Sequence, residues 1–119
     1  MSGQPSITVA GWPTDGSFRV PYDMFVNAEL FEQEQAMLFR GPTWNFVAME
    51  LEIPNPGDYK TGFIGDTPVV TVRDHDGSIH CVVNRCAHRG ATLCYDQRGN
   101  KQDFTCVYHN WRYDLTGQL

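Results

Sequence analysis

The pattern of apolar and polar residues changes once along the chain, near residue 43. Before that point, residues 28–40 repeat apolar side chains at helical spacing, with acidic and amide side chains mainly outside the apolar face. The apolar face consists of Leu30, Phe31, Met37 and Leu38. Asn27 is a suitable N-cap and Gly41 a suitable stop signal. We therefore expect one α-helix over residues 28–40 that covers a core.

After residue 43, short β-type runs are separated by Gly, Pro and Asp. The runs are WNFVAMEL (44–51), YKTGFI (59–64), PVVTVR (68–73) and SIHCVVN (78–84), and residues 103–117 indicate two short strands around a loop. DHDG (74–77) predicts a hairpin turn, because Asp-Gly readily adopts the positive φ that such turns need. The expected fold class is mainly β, a small antiparallel structure with one N-terminal α-helix.

Three segments follow from these patterns. Residues 1–20 are rich in Gly, Pro and Ser and predict an N-terminal arm, residues 21–42 form a helical segment, and residues 43–119 form the β domain. The sequence stops at Leu119 directly after a turn signal, where another strand should begin and would otherwise leave an open sheet edge. We therefore expect a fragment that is truncated at its C-terminus.

Length and charge narrow the class of protein. The chain has 119 residues, of which 41% are hydrophobic, enough for one domain with a core. A net charge of -5, with nine scattered Lys and Arg residues, argues against nucleic acid as a partner. No apolar run is long enough for a membrane span, and the N-terminus lacks the features of a signal peptide. The expected location is the cytoplasm.

The candidate chemistry lies in two mixed pairs of cysteine and histidine. Cys86 and His88 are spaced C-x-H within CAHRG, and Cys106 and His109 are spaced C-x2-H within CVYHNW. Seventeen residues separate His88 from Cys106, so two tight loops could meet and hold a metal group between them. Thiolates are soft, strongly donating ligands, whereas neutral imidazoles donate less strongly.

Several site types could use this donor set. A [2Fe–2S] cluster with two cysteines on one iron and two histidines on the other fits the mixed pairs best. A structural zinc ion usually takes both cysteines from one knuckle and both histidines from one helix, which differs from this spacing. A disulfide between Cys86 and Cys106 suits an oxidising compartment. A nucleophilic cysteine–histidine pair leaves the second pair without a role.

The spacing C-x-H-R-G followed by C-x-Y-H-x-W resembles the Rieske domain of bacterial aromatic-ring-hydroxylating oxygenases, in their large (α) subunit. The similarity runs from about residue 20 to the end and is greatest to subunits acting on terephthalate, anthranilate or salicylate. The resemblance implies a small antiparallel β-sandwich and a [2Fe–2S] Rieske cluster. It further implies that Cys86 and Cys106 hold the inner iron, while His88 and His109 hold the outer, solvent-facing iron.

The resemblance also implies a function. A reductase or ferredoxin would donate electrons, which pass to a mononuclear Fe(II) that hydroxylates an aromatic substrate in a homotrimer or an α3β3 assembly. That iron belongs to a catalytic domain missing from this chain, so the fragment itself has no catalytic residues. A free-standing Rieske-type ferredoxin is the alternative. Trp111 stands where respiratory Rieske proteins have a serine, which predicts a potential toward the low end of about -150 to +300 mV, tempered by a hydrogen bond from Tyr113.

Other residues are interpreted as structural. His75 lies within the DHDGSI turn and His80 directly follows it, so we expect a turn residue and a strand residue rather than metal ligands. Cys81 is expected to be a small buried hydrophobe and Cys94 to be partly exposed. Four aromatic residues are expected in the core: Phe39, Trp44, Phe46 and Phe63.

Overall fold

The structure is a computed structural model that describes residues 19–119. Two 3-10 turns lie at Tyr22–Phe25 and Glu50–Glu52, and helix α1 (Ala28–Glu34) continues into a π turn, Gln35–Phe39. The strands are β1 (Asp58–Ile64), β2 (Thr67–Arg73), β3 (Ile79–Val83), β4 (Arg98–Asn100), β5 (Phe104–Thr105) and β6 (Arg112–Tyr113). The described residues divide into two compact units, the first ending at Trp44 and the second comprising Asn45–Leu119. Most of the arm expected at residues 1–20 lies outside the described residues.

The helix of the first unit begins and ends where the sequence predicts. The Asn27 side chain accepts a hydrogen bond from the Leu30 backbone N–H at 3.0 Å, as an N-cap does. The last turn is wider than an α-helix, because the Arg40 N–H donates to the Gln35 carbonyl, five residues back. At Gly41 the chain runs so close to the Met37 carbonyl that no Cβ fits. No helix within residues 19–119 has the length and apolar character needed to cross a membrane.

An antiparallel four-stranded sheet, in the order β3-β2-β1-β4, is the larger of the two sheets of the second unit. The Asp74–Ser78 turn closes the β2–β3 hairpin, with Gly77 at φ 89°. Three predicted strands and the DHDG turn are therefore confirmed. The sequence missed β4, because its residues Arg-Gly-Asn are polar and exposed and carry no strand pattern.

A two-stranded sheet, β5–β6, completes the fold as predicted, and both sheets contribute to one core. Phe104 of β5 meets Tyr59 of β1 edge to face, with ring centroids 6.5 Å apart. The buried cluster comprises Tyr59, Val70, Val72, Cys86, Leu93, Cys94, Phe104, Cys106, Tyr113 and Leu115. The mainly β fold, with two antiparallel sheets and one N-terminal helix, is confirmed.

The strand predicted at residues 44–51 is wrong. Residues 44–49 belong to no helix or strand, and the segment then enters the Glu50–Glu52 turn. Ion pairs replace strand pairing there: Glu52 contacts Lys60 at 2.9 Å and Arg98 at 2.5 Å, and Glu50 contacts Arg73 at 3.2 Å. An alternating pattern specifies a strand only where a neighbouring strand can complete its backbone hydrogen bonds.

The four aromatic residues expected in the core are exposed instead. Trp44 and Phe46 belong to the segment that lies outside both sheets, and Phe63 lies near the β1–β2 turn. The predictions for the two free cysteines were also wrong, since Cys81 is exposed and Cys94 is buried. Cys81 lies opposite Thr71 on β3, an edge strand, and so escapes burial. Cys94 lies in the central core, beside Cys86 and Leu93 in the chain's buried cluster.

Candidate metal centre

Two loops with the same backbone hydrogen-bonding pattern form the candidate site. In the first loop (residues 86–91), the Cys86 N–H donates to the Ala91 carbonyl at 2.7 Å and the Gly90 N–H to the Cys86 carbonyl at 2.8 Å. In the second loop (residues 106–111), the Cys106 N–H donates to the Trp111 carbonyl at 2.8 Å and the Asn110 N–H to the Cys106 carbonyl at 2.9 Å. The chain therefore uses one turn geometry twice.

The fifth position of each loop has positive φ. Gly90 has φ 76° and Asn110 has φ 59°, the latter being the one non-glycine residue with positive φ in the part of the chain described. Asparagine tolerates this conformation better than most residues. A Cβ placed on Gly90 would meet no atom within 4 Å, so the glycine serves backbone conformation rather than space.

Each loop begins with a buried cysteine and carries an exposed histidine. Cys86 and Cys106 are 4% and 1% exposed, whereas His88 and His109 are both exposed. The two imidazole rings meet edge to face, with centroids 4.7 Å apart. The structure thus brings the four predicted residues to one end of the fold, with thiols inside and imidazoles outside.

The second loop differs from the first in where it carries the histidine. His88 is the third residue of its loop, and His109 is the fourth residue of the other. Tyr108 therefore occupies the position that matches His88, and Arg89 the position that matches His109. The two loops therefore share a backbone geometry but present different side chains at matching positions.

The surroundings of Cys86 favour its thiolate form. The Tyr113 hydroxyl lies 3.2 Å from the Cys86 sulfur and is the main cause of the lowered pKa of that thiol. Backbone N–H groups of His88 and Arg89, together with the Cys106 thiol, lower this pKa further. The same contact raises the pKa of Tyr113. Because the thiolate is the metal-binding form of cysteine, the site is prepared for a metal group.

Tyr113 also fixes the backbone of the first loop. Its hydroxyl oxygen accepts a hydrogen bond from the Ala87 N–H at 3.0 Å, beside its contact with the Cys86 sulfur. The Tyr113 hydroxyl, expected from the sequence to donate a hydrogen bond near the site, thus lies within hydrogen-bonding distance of the Cys86 sulfur.

Asn84 is a site residue that the sequence analysis missed. Its buried side chain accepts from the N–H groups of Leu93 (3.2 Å) and Cys94 (2.8 Å) and donates to the Cys94 carbonyl at 2.8 Å. These bonds tie the chain that enters the first loop to the chain that leaves it. The one sequence signal for Asn84 is its position two residues before Cys86.

The histidines outside the loops have other surroundings, as predicted. His75 lies in the β2–β3 turn, and His80 lies on β3, with its Nε2 3.0 Å from Ser78 Oγ and 3.4 Å from Asp74 Oδ2. Within residues 19–119, no three His, Cys, Asp or Glu side chains converge as ligands of a single ion. The four loop residues instead provide two sulfur donors and two nitrogen donors.

This donor set fits a [2Fe–2S] group that takes two thiolates on one side and two imidazoles on the other. A model of the Rieske [2Fe-2S] domain family matches residues 43–119. The chain belongs to this family. The Rieske match covers both loops and both sheets, and it favours the [2Fe–2S] interpretation of the donor set over the zinc and disulfide alternatives.

Curated relatives place this Rieske domain among oxygenase large subunits. The anthranilate 1,2-dioxygenase large subunit of Burkholderia cepacia is 55% identical over 108 residues, which cover 91% of this chain and 26% of the relative. The large oxygenase component of salicylate 5-hydroxylase from Ralstonia sp is 47% identical, with the same coverage. The chain thus spans about a quarter of the length of these relatives.

Solved structures show the same fold. Naphthalene 1,2-dioxygenase with indole bound in its active site matches with a TM-score of 0.71 and 40% identity, over 75% of this chain and 20% of that chain. The apo form of a quaternary ammonium Rieske monooxygenase matches with a TM-score of 0.74 and 33% identity, over 85% of this chain and 29% of that one. The Rieske fold is therefore established by sequence and by structure.

Proposed function

We propose that this chain is the electron-transfer portion of the large subunit of an aromatic-ring-hydroxylating oxygenase. In this proposal Cys86, Cys106, His88 and His109 are the ligands of a Rieske [2Fe–2S] cluster. The observation that carries the proposal is the pair of matching loops that hold two buried thiols beneath two exposed imidazoles. When bound, such a cluster supplies reversible one-electron chemistry.

The protein provides different environments for the two ends of the site. The cysteines lie in the core with Leu93, Phe104 and Tyr113, which exclude water and keep the ligand sulfurs in place. The histidines lie at the surface, where the domain's redox partners can approach. A buried sulfur end and an exposed nitrogen end suit a module that exchanges electrons with other proteins while its cluster stays protected.

The relatives suggest the partners and the substrate class. We propose that a reductase or ferredoxin supplies the electrons and that the acceptor is a mononuclear Fe(II) in a catalytic domain outside this chain. A homotrimer or an α3β3 assembly would bring that domain close to the exposed histidines. Relatives named for anthranilate and salicylate support an aromatic acid as substrate.

The cluster assignment is tested by anaerobic purification or reconstitution, followed by iron and labile-sulfide analysis and EPR of the reduced chain. We expect two irons and two sulfides per chain and a Rieske-type spectrum. Separate His88→Ala and His109→Ala variants should each lose or replace that spectrum, while His80→Ala, a histidine outside the loops, should keep it. Wild-type protein without iron and sulfide after reconstitution would contradict the proposal.

The electron-transfer role is tested by mixing the oxidised, cluster-containing chain with NADH and a purified oxygenase reductase, with and without ferredoxin. Bleaching of the visible absorption should require the reductase. The His80→Ala control should be reduced at the wild-type rate. No reduction by protein donors, with normal reduction by dithionite, would refute the role while leaving the cluster assignment intact.

A further inference from the structure

The two candidate histidine ligands rest on different aromatic side chains. The His88 imidazole stacks on the Trp111 indole from the opposite loop, with centroids 4.8 Å apart and planes 13° apart. The His109 imidazole contacts Tyr108, its neighbour in the same loop, at 4.0 Å with a 40° tilt. One ring therefore lies flat on a platform and the other is tilted.

Trp111 is also held in place by contacts other than the one with His88. The Trp111 carbonyl accepts the Cys106 N–H at 2.8 Å, and β6 begins at the next residue. The indole is partly buried and packs against the central core. Its position is therefore set by the backbone and the core rather than by the histidine it touches.

The matching position of the first loop carries no such platform. Ala91 occupies the sixth place of that loop, as Trp111 does in the second, and its side chain is a single methyl group. Tyr108 is 62% exposed, so its ring has fewer contacts to hold it than Trp111 has. The backbone symmetry of the two loops is thus broken at the residues that contact the imidazoles.

We propose that Trp111 is a positioning residue for His88, and that the two histidines are held unequally, His88 firmly and His109 loosely. This inference rests on the ligand assignment proposed above. Offset-stacked rings attract each other beyond the area they bury, and a ring fixed on one face has fewer accessible orientations about its side-chain torsions. Residues that orient histidine ligands typically affect how tightly a metal group is retained.

The test compares Trp111→Phe, which keeps a smaller stacking face, with Trp111→Leu, which removes the face. Pulsed EPR of the reduced, cluster-containing chain resolves the nitrogen couplings of the two histidines. We expect one coupling to broaden slightly in Trp111→Phe and strongly in Trp111→Leu. Cluster loss under a chelator should be roughly fivefold faster in Trp111→Leu, which corresponds to the loss of one aromatic pair.

Tyr108→Leu is the matched control on the other histidine. Because Tyr108 is largely exposed, its loss should leave the fold intact and alter the other nitrogen coupling only weakly, since His109 is already loosely held. A purely structural role for Trp111 would lower thermal stability without changing one coupling selectively.

The outcomes separate this inference from the proposed function. Wild-type chain without a Rieske spectrum refutes the function and with it the premise. A wild-type spectrum with both couplings unchanged in Trp111→Leu refutes the positioning role alone. If Trp111→Leu holds no cluster, Trp111→Phe decides: broadening confined to one coupling supports the role, and couplings identical to wild type overturn it.

Discussion

The first and second loops share a backbone but are held in place by different means. The second loop is enclosed by its own hairpin, since β5 leads directly into it and β6 follows at once. The first loop follows β3, and the residues after it, 92–97, form no strand. Hydrogen bonds from the Asn84 side chain take the place of the backbone bonds that a pair of strands would make. Local hydrogen bonds thus hold the second loop in place, whereas the first loop depends on the buried Asn84 side chain and on Tyr113.

We expect the largest effect on stability from removing the Asn84 side chain. Asn84→Ala leaves three backbone groups in the core without partners, so we expect a loss of about 3 kcal/mol in the free energy of unfolding, at about 1 kcal/mol per bond. Denaturant unfolding of the cluster-containing chain measures this loss. The matched variant in the other loop's hairpin, Thr105→Ala, should cost far less, because it removes one exposed bond to Asp103. Equal losses would show that the first loop needs no clamp.

The next largest effect on stability concerns the positive φ that the fifth residue of each loop adopts. Gly90→Ala forces an alanine into the left-handed region at a cost of about 1 to 2 kcal/mol, and Asn110→Ala should cost less, because Asn110 already bears part of that cost. Asn110→Gly should be neutral or stabilising, since glycine adopts this conformation freely. Thermal unfolding compares the three variants. If Gly90→Ala were as stable as wild type, the loop geometry described for Gly90 would be wrong.

Tyr113→Phe should have a comparable effect on stability and, in addition, a specific effect on the cluster. Loss of the hydroxyl removes its hydrogen bonds to the Cys86 sulfur and the Ala87 N–H, at about 1 kcal/mol each. Fewer hydrogen bonds to sulfur should lower the reduction potential, which a spectroelectrochemical titration measures. Tyr95→Phe is the control, because Tyr95 is exposed. A Tyr113→Phe potential equal to wild type would exclude this contact as a determinant.

The smallest effect should be on the pH dependence of the second loop's hairpin. Hydrogen bonds from Thr105 and Arg112 hold the pKa of Asp103 below its usual range. Because the folded-state pKa is the lower one, this stabilisation is present above the unfolded-state pKa of about 4 and is lost as the pH falls through the folded-state value. Asp103→Asn should therefore flatten the loss of stability in acid. An unchanged acid unfolding profile would show that Asp103 contributes nothing.

The residues proposed as ligands stand out in the sequence because such chemistry requires specific side chains at fixed spacing. Cysteine and histidine cannot be exchanged for other residues at such a site, so the mixed pairs at residues 86–88 and 106–109 are distinctive. The strand that contains Val70 and Val72 could also be predicted, because residues buried on its core face form a regular apolar pattern in the sequence.

The misses share a physical cause, which is dependence on distant partners. Asn84 acts through backbone groups nine and ten residues away, and a lone asparagine has no pattern. Residues 44–51 alternate like a strand, but Glu50 and Glu52 find cations on three separate strands instead. The exposure of Cys81 depends on which strand lies at the sheet edge, and Cys94 is tied into the core by the distant Asn84 side chain; the local sequence encodes neither.

The contrast between those two cysteines gives the domain a natural labelling position. Burial raises the pKa of the Cys94 thiol to about 11, so at neutral pH it stays protonated and unreactive toward alkylating reagents. In a cluster-containing chain whose Cys86 and Cys106 are ligands, as proposed, a maleimide dye should attach at Cys81 alone. A fluorophore on β3 could then report partner binding without any engineered residue.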